Sequence, residues 1–585
     1  DDPLLRAELE RILGKEHVDT AGTGGVYFND SGVNFTMINS EIHAGDVKLV
    51  DVAKAKHTTE PESALYLRHL SGDVTITGST IYGGSILHDE LIEKRNDPND
   101  TTGYDPNYPA TAGFFNPSVP TTVDFISTGK LTVSGCKIYG GHNDVQNAGE
   151  AALKLQGNGA TTEIIDTLLQ GGDAARNCTA PGHGIGGGAL DITGNNAQSD
   201  ITIKDSTLKG GNGGQSWGGN GIDIGRCVPK KIAISNSTIA GGSKSSNGYG
   251  AGIYYTGWDM LDTMELENVD FSAAEEGKSY GAIKGDILAK VSGNITITGP
   301  TDGFVAIGDG TVLQRETVAD EFVPAKCKAV AKAHHPYYGD GYYTSLADAV
   351  ADALTVGASV TLLCDTIGAA VVVPPSSESK VNNITIDFDG HTYTVDNPLA
   401  GSPGTKTNGF HLGKDSTVVM KNGTLETNEA YILIQNYANL TLDNMNLSLT
   451  TVHPKGTRLY TMSNNNGTVV LTGNTNISAL DGNVAFDVCR FASYPGVSVK
   501  LDKNMTGTIN GTVELSGTKD GDNDFELIIQ NGIINGSIVN EAPTASIQIS
   551  GGTFKEDVSE YCTGGLMAKN VGGVYQIVPA AAKVV

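Results

Sequence analysis

The sequence lacks the features of zinc centres and helical membrane proteins, and it is poor in aromatic residues. Aromatic residues make up 6% of its 585 residues, with only two Trp. The seven cysteines show no CxxC or CxxH spacing, which argues against a zinc site. No run of about 18 apolar residues is present, so we expect no transmembrane helix.

Positive charge is also scarce. The chain has 39 Lys and Arg against 66 Asp and Glu, which gives a formal charge of −27. Such a surface repels nucleic acids and anionic membranes, so we expect no nucleic-acid partner and no membrane insertion. Glycine is abundant, with 76 residues. Together with many β-branched, Asn and Ser residues, this composition is typical of short strands and tight turns.

One phrase recurs along the first half of the chain. Apolar and polar residues alternate, then Asn, Asp or Gly precedes Ser or Thr, and an apolar residue and two glycines follow. The alternation has the period of a β-strand, and the central step favours a turn. Later copies recur 31 to 39 residues apart, which is typical of stacked repeats. The clearest copies occupy residues 74–84, 131–141, 201–211 and 232–242.

A second, shorter phrase precedes most copies: a small residue, then apolar, variable and apolar residues. It reads ALYL, ALKL, ALDI, GIDI, GIYY and AIKG at its six occurrences. Two or three short strands in each repeat, stacked turn on turn, form a parallel β-helix. Stacking is required because a single turn cannot bury its apolar side alone.

The first half divides where this pattern changes. Residues 1–20 carry apolar side chains at helical spacing, among them Leu5 and Leu9. We expect a short helix there that caps the solenoid or, as the alternative, docks onto another subunit. The first β-helix domain is predicted over residues 21–317, with an inserted loop at 85–125. Insertions in solenoids become loops on one face, often the binding face.

Residues 318–344 interrupt the repeat and are predicted to be a linker. Residues 345–354 have an apolar face and begin with Ser345 and Asp348 as a capping pair, which predicts a helix. Strand patterns then resume at intervals of about 22 to 29 residues. We therefore predict a second β-helix domain over residues 345–585.

Two segments of the second half resemble a known family. YTSLADAVADAL and the strands after it resemble the entry segment of pectate-lyase-like right-handed β-helix domains of bacterial surface proteins. ISGGTFKEDVSEYCTGGLMAKNVGGVYQIV resembles the end of such domains in adhesin-like proteins of gut Firmicutes. The resemblance covers roughly residues 340–581 and implies a secreted, extracellular or cell-surface location. Activity stays open, because this fold hosts lyases, hydrolases and adhesins.

The predicted fold is therefore all-β, with two consecutive right-handed parallel β-helix domains and short capping helices. A Gly-His-Gly sequence around His183 is the clearest hint of catalysis. It is similar to the triplet of galacturonan hydrolases with this fold, whose chemistry needs a general acid, a base and a cation. Asp173 and Arg226 are weak candidates for the other roles. The paired carboxylates of that family are missing, and Gly-His-Gly is more often a turn, so no catalytic residue is assigned.

The variable position of the short phrase predicts a column of outward side chains if the turns stack in register. Stacked strands lie about 4.8 Å apart, so Asp191 and Asp223 would be neighbouring like charges. Either a calcium ion lies between these two carboxylates, as the only expected cofactor, or the column is solvated. The predicted column contains Tyr66, Lys154, Asp191, Asp223, Tyr254 and Lys284.

Two aromatic clusters are candidate binding surfaces. Exposed aromatic rings stack on sugars or anchor a protein partner, whereas Tyr residues at a domain junction often pack the junction instead. The clusters contain Tyr254, Tyr255 and Trp258, and Tyr337, Tyr338, Tyr342 and Tyr343.

Two functions remain open from the sequence. The first is a non-enzymatic extracellular surface protein, either an adhesin or a filament-forming structural subunit. Its partners would be further copies of itself, or glycans and proteins of a host or cell surface. The second is a polysaccharide lyase or glycoside hydrolase acting on an acidic polysaccharide. Clustered carboxylates beside an Arg would favour the enzyme, whereas a flat face of Asn, Thr and Ser would favour the surface protein.

Overall fold

The computed structural model is almost entirely β, with parallel strands stacked as a solenoid, which confirms the predicted fold class. The chain separates into two compact units, Asp1–Lys328 and Ala329–Val585. In the part of the chain that is described, no helix is long and apolar enough to cross a membrane. The structure describes residues 26–29, 32–45, 47–48, 63–87, 122–143, 149–156, 160–174, 185–194, 198–213, 217–243, 250–271, 282–315, 321–337, 339–377, 380, 382–401, 406–452, 457–465, 467–490, 497–517, 525–542 and 544–580.

The first unit winds three short strands into most turns, and equivalent strands of successive turns pair in parallel. Strands of the shorter phrase form the first stack, and the first strands of the recurring phrase form the second stack. The long strand Ile283–Ser292 pairs with the last strand of each stack and joins them into one 16-stranded sheet. The third strand of each turn belongs to a separate 10-stranded sheet.

The bounds of the first-unit strands follow this arrangement. The first stack contains Val26–Asn29, Leu65–Arg68, Val123–Ile126, Leu153–Leu155, Leu190–Ile192, Ile222–Ile224 and Ile253–Tyr255. The second contains Phe35–Ile38, Val74–Thr77, Leu131–Ser134, Thr161–Ile165, Asp200–Lys204, Lys231–Ser235 and Leu261–Glu267, and Thr301–Ile307 pairs with the joining strand. The 10-stranded sheet contains Glu41–His43, Thr80–Tyr82, Lys137–Tyr139, Leu168–Gln170, Thr207–Lys209, Thr238–Ala240, Asp270–Phe271, Asn294–Thr298, Thr311–Arg315 and Val323–Pro324, and Val47–Lys48 pairs with Ile86–Leu87.

The central step of the recurring phrase is the turn between the second and third strands. Its Asn, Asp or Gly has a positive φ, for example 49° at Asp205 and 46° at Asn236, which these residue types tolerate best. The hydroxyl that follows bonds the neighbouring turn. Ser206 Oγ accepts from the Thr167 N–H at 3.2 Å, and Ser237 Oγ accepts from the Ser206 N–H at 3.1 Å. This step therefore specifies both the turn and the stacking.

The closing glycines let backbones approach more closely than a side chain would allow. The Gly211 N–H donates to the Gly187 carbonyl, and the Gly219 N–H donates to the Gly211 carbonyl, both at 2.8 Å. A Cβ at Gly211 would lie 2.0 Å from the Gly172 carbonyl oxygen, and one at Gly219 only 1.8 Å from that of Gly187. From Gly141 to Gly250, such bonds run in a zigzag between the ends of the recurring phrases and the residues before the short phrases. We call this feature the glycine seam.

The insertion is shorter at its end than predicted. Val123–Ile126 pairs with Leu65–Arg68 and with Leu153–Leu155, so it is a full member of the first stack. Residues 122–125 of the predicted loop 85–125 therefore belong to the solenoid. The short phrase is hard to recognise at this strand because Thr122 occupies the position that is Ala or Gly in the other copies. The Thr122 hydroxyl donates to the Tyr139 carbonyl at 2.9 Å. The predicted cap at residues 1–20 lies outside the described residues.

The second unit begins with a hairpin and the predicted helix. Ala331–His335 and Gly339–Tyr343 pair in antiparallel fashion, and Ala331–His335 also pairs with Ser359–Leu362. The prediction of a linker at 318–344 is therefore wrong for this hairpin, because its alanines are buried in the second core. The α-helix Leu346–Val356 is confirmed, with the Ser345 hydroxyl accepting from the Asp348 N–H.

The second solenoid also has three strand positions per turn. Its 18-stranded sheet contains the two hairpin strands and Ser359–Leu362, Thr366–Ala369, Asn383–Asp387, Thr392–Asn397, Thr417–Thr427, Asn439–Leu449, Thr468–Thr472, Asn476–Ala479, Val497–Leu501, Thr508–Asn510, Phe525–Ile529, Ile533–Asn535, Ser546–Ile549, Thr553–Phe554, Leu566–Val571 and Val574–Pro579. Its 7-stranded sheet contains Val371–Val373, Asn408–Leu412, Ile432–Asn436, Tyr460–Asn465, Val484–Arg490, Thr512–Gly517 and Ile538–Asn540. A single 3₁₀ turn is described, at Ser559–Tyr561.

Candidate functional site

The predicted outward column exists in the first strand stack. Its six residues lie in register, with one further turn between Tyr66 and Lys154, and their apolar neighbours, such as Ile222 and Ile224, are fully buried. Sequence reasoning missed three members of the column, namely Tyr27, Asp124 and Asp302. Asp124 was missed because it falls within the predicted insertion. The complete column is Tyr27, Tyr66, Asp124, Lys154, Asp191, Asp223, Tyr254, Lys284 and Asp302.

A pocket of about 240 Å³ opens beside the centre of this column. Glu150, Asp191 and Asp223 line it together with Asn220 and Ile185. The remaining lining residues are an alanine and glycines of the seam, so backbone forms much of the wall. A ligand can therefore approach the main chain closely, which larger side chains would prevent.

Glu150 is a carboxylate placed in the glycine seam. Its carbonyl accepts from the Gly172 N–H at 2.9 Å, in the role that the Gly187 carbonyl has for Gly211 one turn later. Sequence reasoning did not select Glu150. The available signal was its position two residues before the short phrase, where the two following turns carry Gly187 and Gly219.

The three carboxyl groups perturb one another. Burial, and next the charge of Asp191, raise the pKa of Glu150 to about 7. Burial, and next the charge of Asp223, raise the pKa of Asp191 to about 7. Lys154 opposes both shifts without reaching ion-pair distance of either group. At neutral pH the Glu150 and Asp191 carboxyl groups are therefore partly protonated.

Hydrogen bonding within the pocket is uneven. Asn220 Nδ2 donates to Asp223 Oδ2 at 2.7 Å, and Asn220 Oδ1 accepts from the Ala251 N–H at 2.8 Å, which fixes the amide. Burial raises the pKa of Asp223, and the Asn220 bond opposes that rise. By contrast, the Asp191 carboxylate accepts no hydrogen bond from any residue that the structure describes. The Glu150 carboxylate accepts one from the backbone of Ala151. Both groups have acceptor capacity left for a ligand.

On one side of the pocket the column is already paired. The Arg68 guanidinium lies 4.2 Å from the Tyr66 ring centroid, and its Nη2 lies 2.8 Å from Asp124 Oδ2. Tyr27 stacks on Tyr66 with ring centroids 4.5 Å apart. Gln156 Nε2 also donates to Asp124, at 3.4 Å. Arg68 is therefore engaged with its own neighbours.

On the other side, aromatic rings are exposed. Tyr254 lies directly opposite Asp223 and is 39% exposed, and Trp217, which precedes the pocket residue Gly218, is 55% exposed. Trp258 is also exposed, with the Arg226 guanidinium 5.5 Å from its ring centroid. Tyr255 is 3% exposed, so its assignment as a binding residue is wrong. Strand alternation turns it into the core, where its hydroxyl donates to the Asp259 carbonyl.

The second aromatic cluster is divided. Tyr337 is exposed, and Tyr338 lies outside the described residues. Tyr342 and Tyr343 are half-buried, and the Tyr343 hydroxyl donates to the Asp352 carboxylate on the helix. Tyr343 therefore packs its own unit, and only Tyr337 presents a freely accessible ring among the described members.

The weak catalytic candidates have structural contacts. Asp173 Oδ1 accepts from the Asn212 N–H at 2.7 Å, which links adjacent turns, and the Asp173 N–H donates to His142 Nδ1 at 2.8 Å. Arg226 lies against Trp258. His183 lies outside the described residues, so its role stays a prediction.

Potential metal ligands are few in the described part of the chain. No group of three or more His, Cys, Asp and Glu is arranged there to hold a metal ion. Asp191 and Asp223 are direct neighbours in register, as predicted. Calcium at this pair stays a prediction that rests on the two carboxylates.

The second unit contains a different carboxylate pair, which sequence reasoning missed. Asp487 and Glu514 lie opposite each other in the 7-stranded sheet, at 4% and 2% exposure. Ser516 Oγ donates to Asp487 at 2.7 Å, and Arg458 Nη1 donates to Glu514 Oε1 at 2.8 Å. Burial raises the pKa of Asp487 to about 7. This pair is enclosed and largely bonded within the protein.

The sequence matches no protein-family model, and a search of curated proteins found no match. The resemblance to pectate-lyase-like domains therefore rests on the two segments of the second half alone.

Proposed function

We propose that the protein is a non-enzymatic extracellular surface protein of the adhesin type that binds a glycan in the first-unit pocket. The pocket carries this proposal. Its Asp191 carboxylate has no hydrogen-bond donor among the described residues, Glu150 has spare acceptor capacity, and exposed Tyr254 lies opposite the pocket residue Asp223. Sugars offer hydroxyl donors and C–H faces, which carboxylates and aromatic rings recognise respectively.

The shape of the column supports a polymeric ligand. Successive turns place outward side chains about 4.8 Å apart along the solenoid. A linear glycan lying along the stack would meet Tyr254, Asp223 and Asp191 in order. The resemblance to pectate-lyase-like domains adds the expectation of a cell-surface location. Self-assembly into a filament is the other form of this proposal.

The enzyme alternative also has an observation in its favour. A carboxyl group with a pKa near 7 is suited to act as a general acid, and Glu150 and Asp191 both have this property. The cation beside them is Lys154, whereas Arg68 is paired with Asp124. Hydrolysis or calcium-dependent elimination of an acidic polysaccharide is therefore the second candidate function.

One set of variants tests both functions. The full chain is applied to a glycan array beside Asp191→Asn and Tyr254→Ala, with Asp309→Asn as control because Asp309 is an exposed carboxylate of the first unit outside the column. We expect bound glycans whose signal falls at least tenfold in the first two variants and is unchanged in the control. Cleavage of polygalacturonate, with or without Ca²⁺, that depends on Glu150 or Asp191 would replace the adhesin proposal with the enzyme. Binding to no glycan would reject it.

A further inference from the structure

We infer that the pocket selects glycans that carry a primary ammonium group, such as amino sugars, over neutral or uronate-containing glycans. This inference rests on the proposed glycan binding and names the ligand class for the same pocket. It reverses the charge expected from the enzyme alternative, which concerns an acidic polysaccharide.

The charge balance of the pocket favours a cationic ligand. Glu150, Asp191 and Asp223 line one small volume, and Lys154 is the cation that opposes the raised pKa values of Glu150 and Asp191. Lys154 makes no ion pair with a described residue, so the carboxylates are not neutralised by contact. A ligand ammonium would relieve their mutual repulsion, whereas a uronate would add another negative charge.

The open acceptors favour a ligand with several donors. Asp191 is largely buried and lines the pocket, yet no described residue donates a hydrogen bond to it. The Glu150 carboxylate accepts a hydrogen bond from the backbone of Ala151, and most of its acceptor capacity stays open. An ammonium group supplies three donors, so it can bond both carboxylates together. A hydroxyl supplies one donor and can bond only one of them.

The exposed rings also favour a cation, and they do so independently of the carboxylates. Tyr254 lies opposite the pocket residue Asp223, Trp217 precedes the pocket residue Gly218, and both rings are exposed. Aromatic faces attract cations, and aromatic rings are a common means of binding ammonium ligands. The same region already shows this preference, because Arg226 lies over Trp258.

Proton linkage provides a signature of the ligand charge. Without ligand, Glu150 and Asp191 both have pKa values near 7, so at pH 6 both are largely protonated. A bound ammonium favours their ionised forms and lowers both pKa values, so binding at pH 6 releases protons. A neutral sugar has no such preference for the ionised form.

The test is calorimetric titration of the full chain at pH 6 in two buffers of different ionisation enthalpy. The probes are glucosamine tetramer, N-acetylglucosamine tetramer and galacturonic acid tetramer. We expect the glucosamine tetramer to bind at least tenfold more tightly than the other two and to release protons. Asp191→Asn and Glu150→Gln should each remove most of this preference, and Asp309→Asn should leave it intact. Thermal melting confirms that each variant is folded.

The outcomes separate the ammonium inference from the glycan site. Equal or tighter binding of the N-acetylated or galacturonate tetramer, still sensitive to Asp191→Asn, overturns the ammonium inference and leaves the glycan site standing. Binding of the glucosamine tetramer without release of protons overturns the inference in the same way. If no tetramer binds and the glycan array is also negative, the glycan site itself fails.

Discussion

The two units each bring carboxylates together on adjacent turns, and they differ in what surrounds these groups. In the first unit, Glu150 and Asp191 face an open pocket walled by glycine backbone. In the second, Asp487 and Glu514 are almost fully buried and bond to Ser516 and Arg458. Similar pKa perturbations therefore accompany an accessible site in one unit and an internal network in the other. Accessibility and remaining hydrogen-bonding capacity, more than the pKa, mark the binding site.

The largest expected effect comes from the wall of the open pocket. Gly219→Ala places a Cβ 1.8 Å from the Gly187 carbonyl oxygen, so the seam must separate. We expect the first unit to lose about 3 kcal/mol or more, together with its glycan binding. Chemical denaturation followed by hydrogen exchange measures the loss unit by unit. Gly225→Ala is the control, because its Cβ would meet only an ordinary contact at 3.5 Å, and an equal loss there would contradict the role of the seam.

Adjacent tyrosines separate packing from binding within the first unit. Tyr255→Ala removes a buried ring and should cost about 3 kcal/mol of stability. Tyr254→Ala removes an exposed ring and should cost less than about 0.5 kcal/mol while weakening glycan binding. Denaturation and array binding of the two variants are measured side by side. The reverse pattern would show that the strand alternation is misassigned.

The enclosed pair should make the second unit sensitive to pH. The pKa of Asp487 is about 7 in the folded state, against about 4 for an unfolded Asp. Between these values the folded state holds a proton that the unfolded state has released, so stability falls as the pH rises. The decrease between pH 5 and 8 should approach about 2–3 kcal/mol.

Asp487→Asn should flatten this dependence in the second unit, measured by denaturation at each pH with hydrogen exchange to separate the units. Asp191→Asn should flatten the pH dependence of the first unit by a similar amount, because burial also raises the pKa of Asp191 to about 7. An unchanged slope in Asp487→Asn would assign the effect to other groups.

The smallest of these effects concerns the cation of the enclosed pair. Arg458→Met leaves the Glu514 carboxylate buried without its partner, and we expect a loss of about 2 kcal/mol at pH 8 because Arg458 itself is partly exposed. The loss should shrink at pH 5, where protonation of Glu514 becomes more favourable. Lys230→Met breaks an exposed pair with Asp200 and should cost less than about 0.5 kcal/mol. Equal losses in the two variants would argue against burial as the cause.

The candidate site was predictable in part. Alternation and phrase spacing correctly placed Asp191 and Asp223 as outward neighbours, and they placed Tyr254 beside them. The same alternation turns Tyr255 inward, so its prediction as a binding residue neglected that rule. Glu150 was missed because a carboxylate in a glycine position is a departure from the repeat.

The sequence by itself determined the solenoid, its turns and the helix Leu346–Val356, because strand alternation, Asn or Gly turns and capping residues act over a few neighbours. Only the tertiary structure decided which side chains from different turns meet. Glu150 lies 41 residues before Asp191, and Asp487 lies 27 before Glu514. Whether such a pair faces a pocket or is enclosed depends on how the turns stack and on which residues cover the pair. Both are properties of the whole fold.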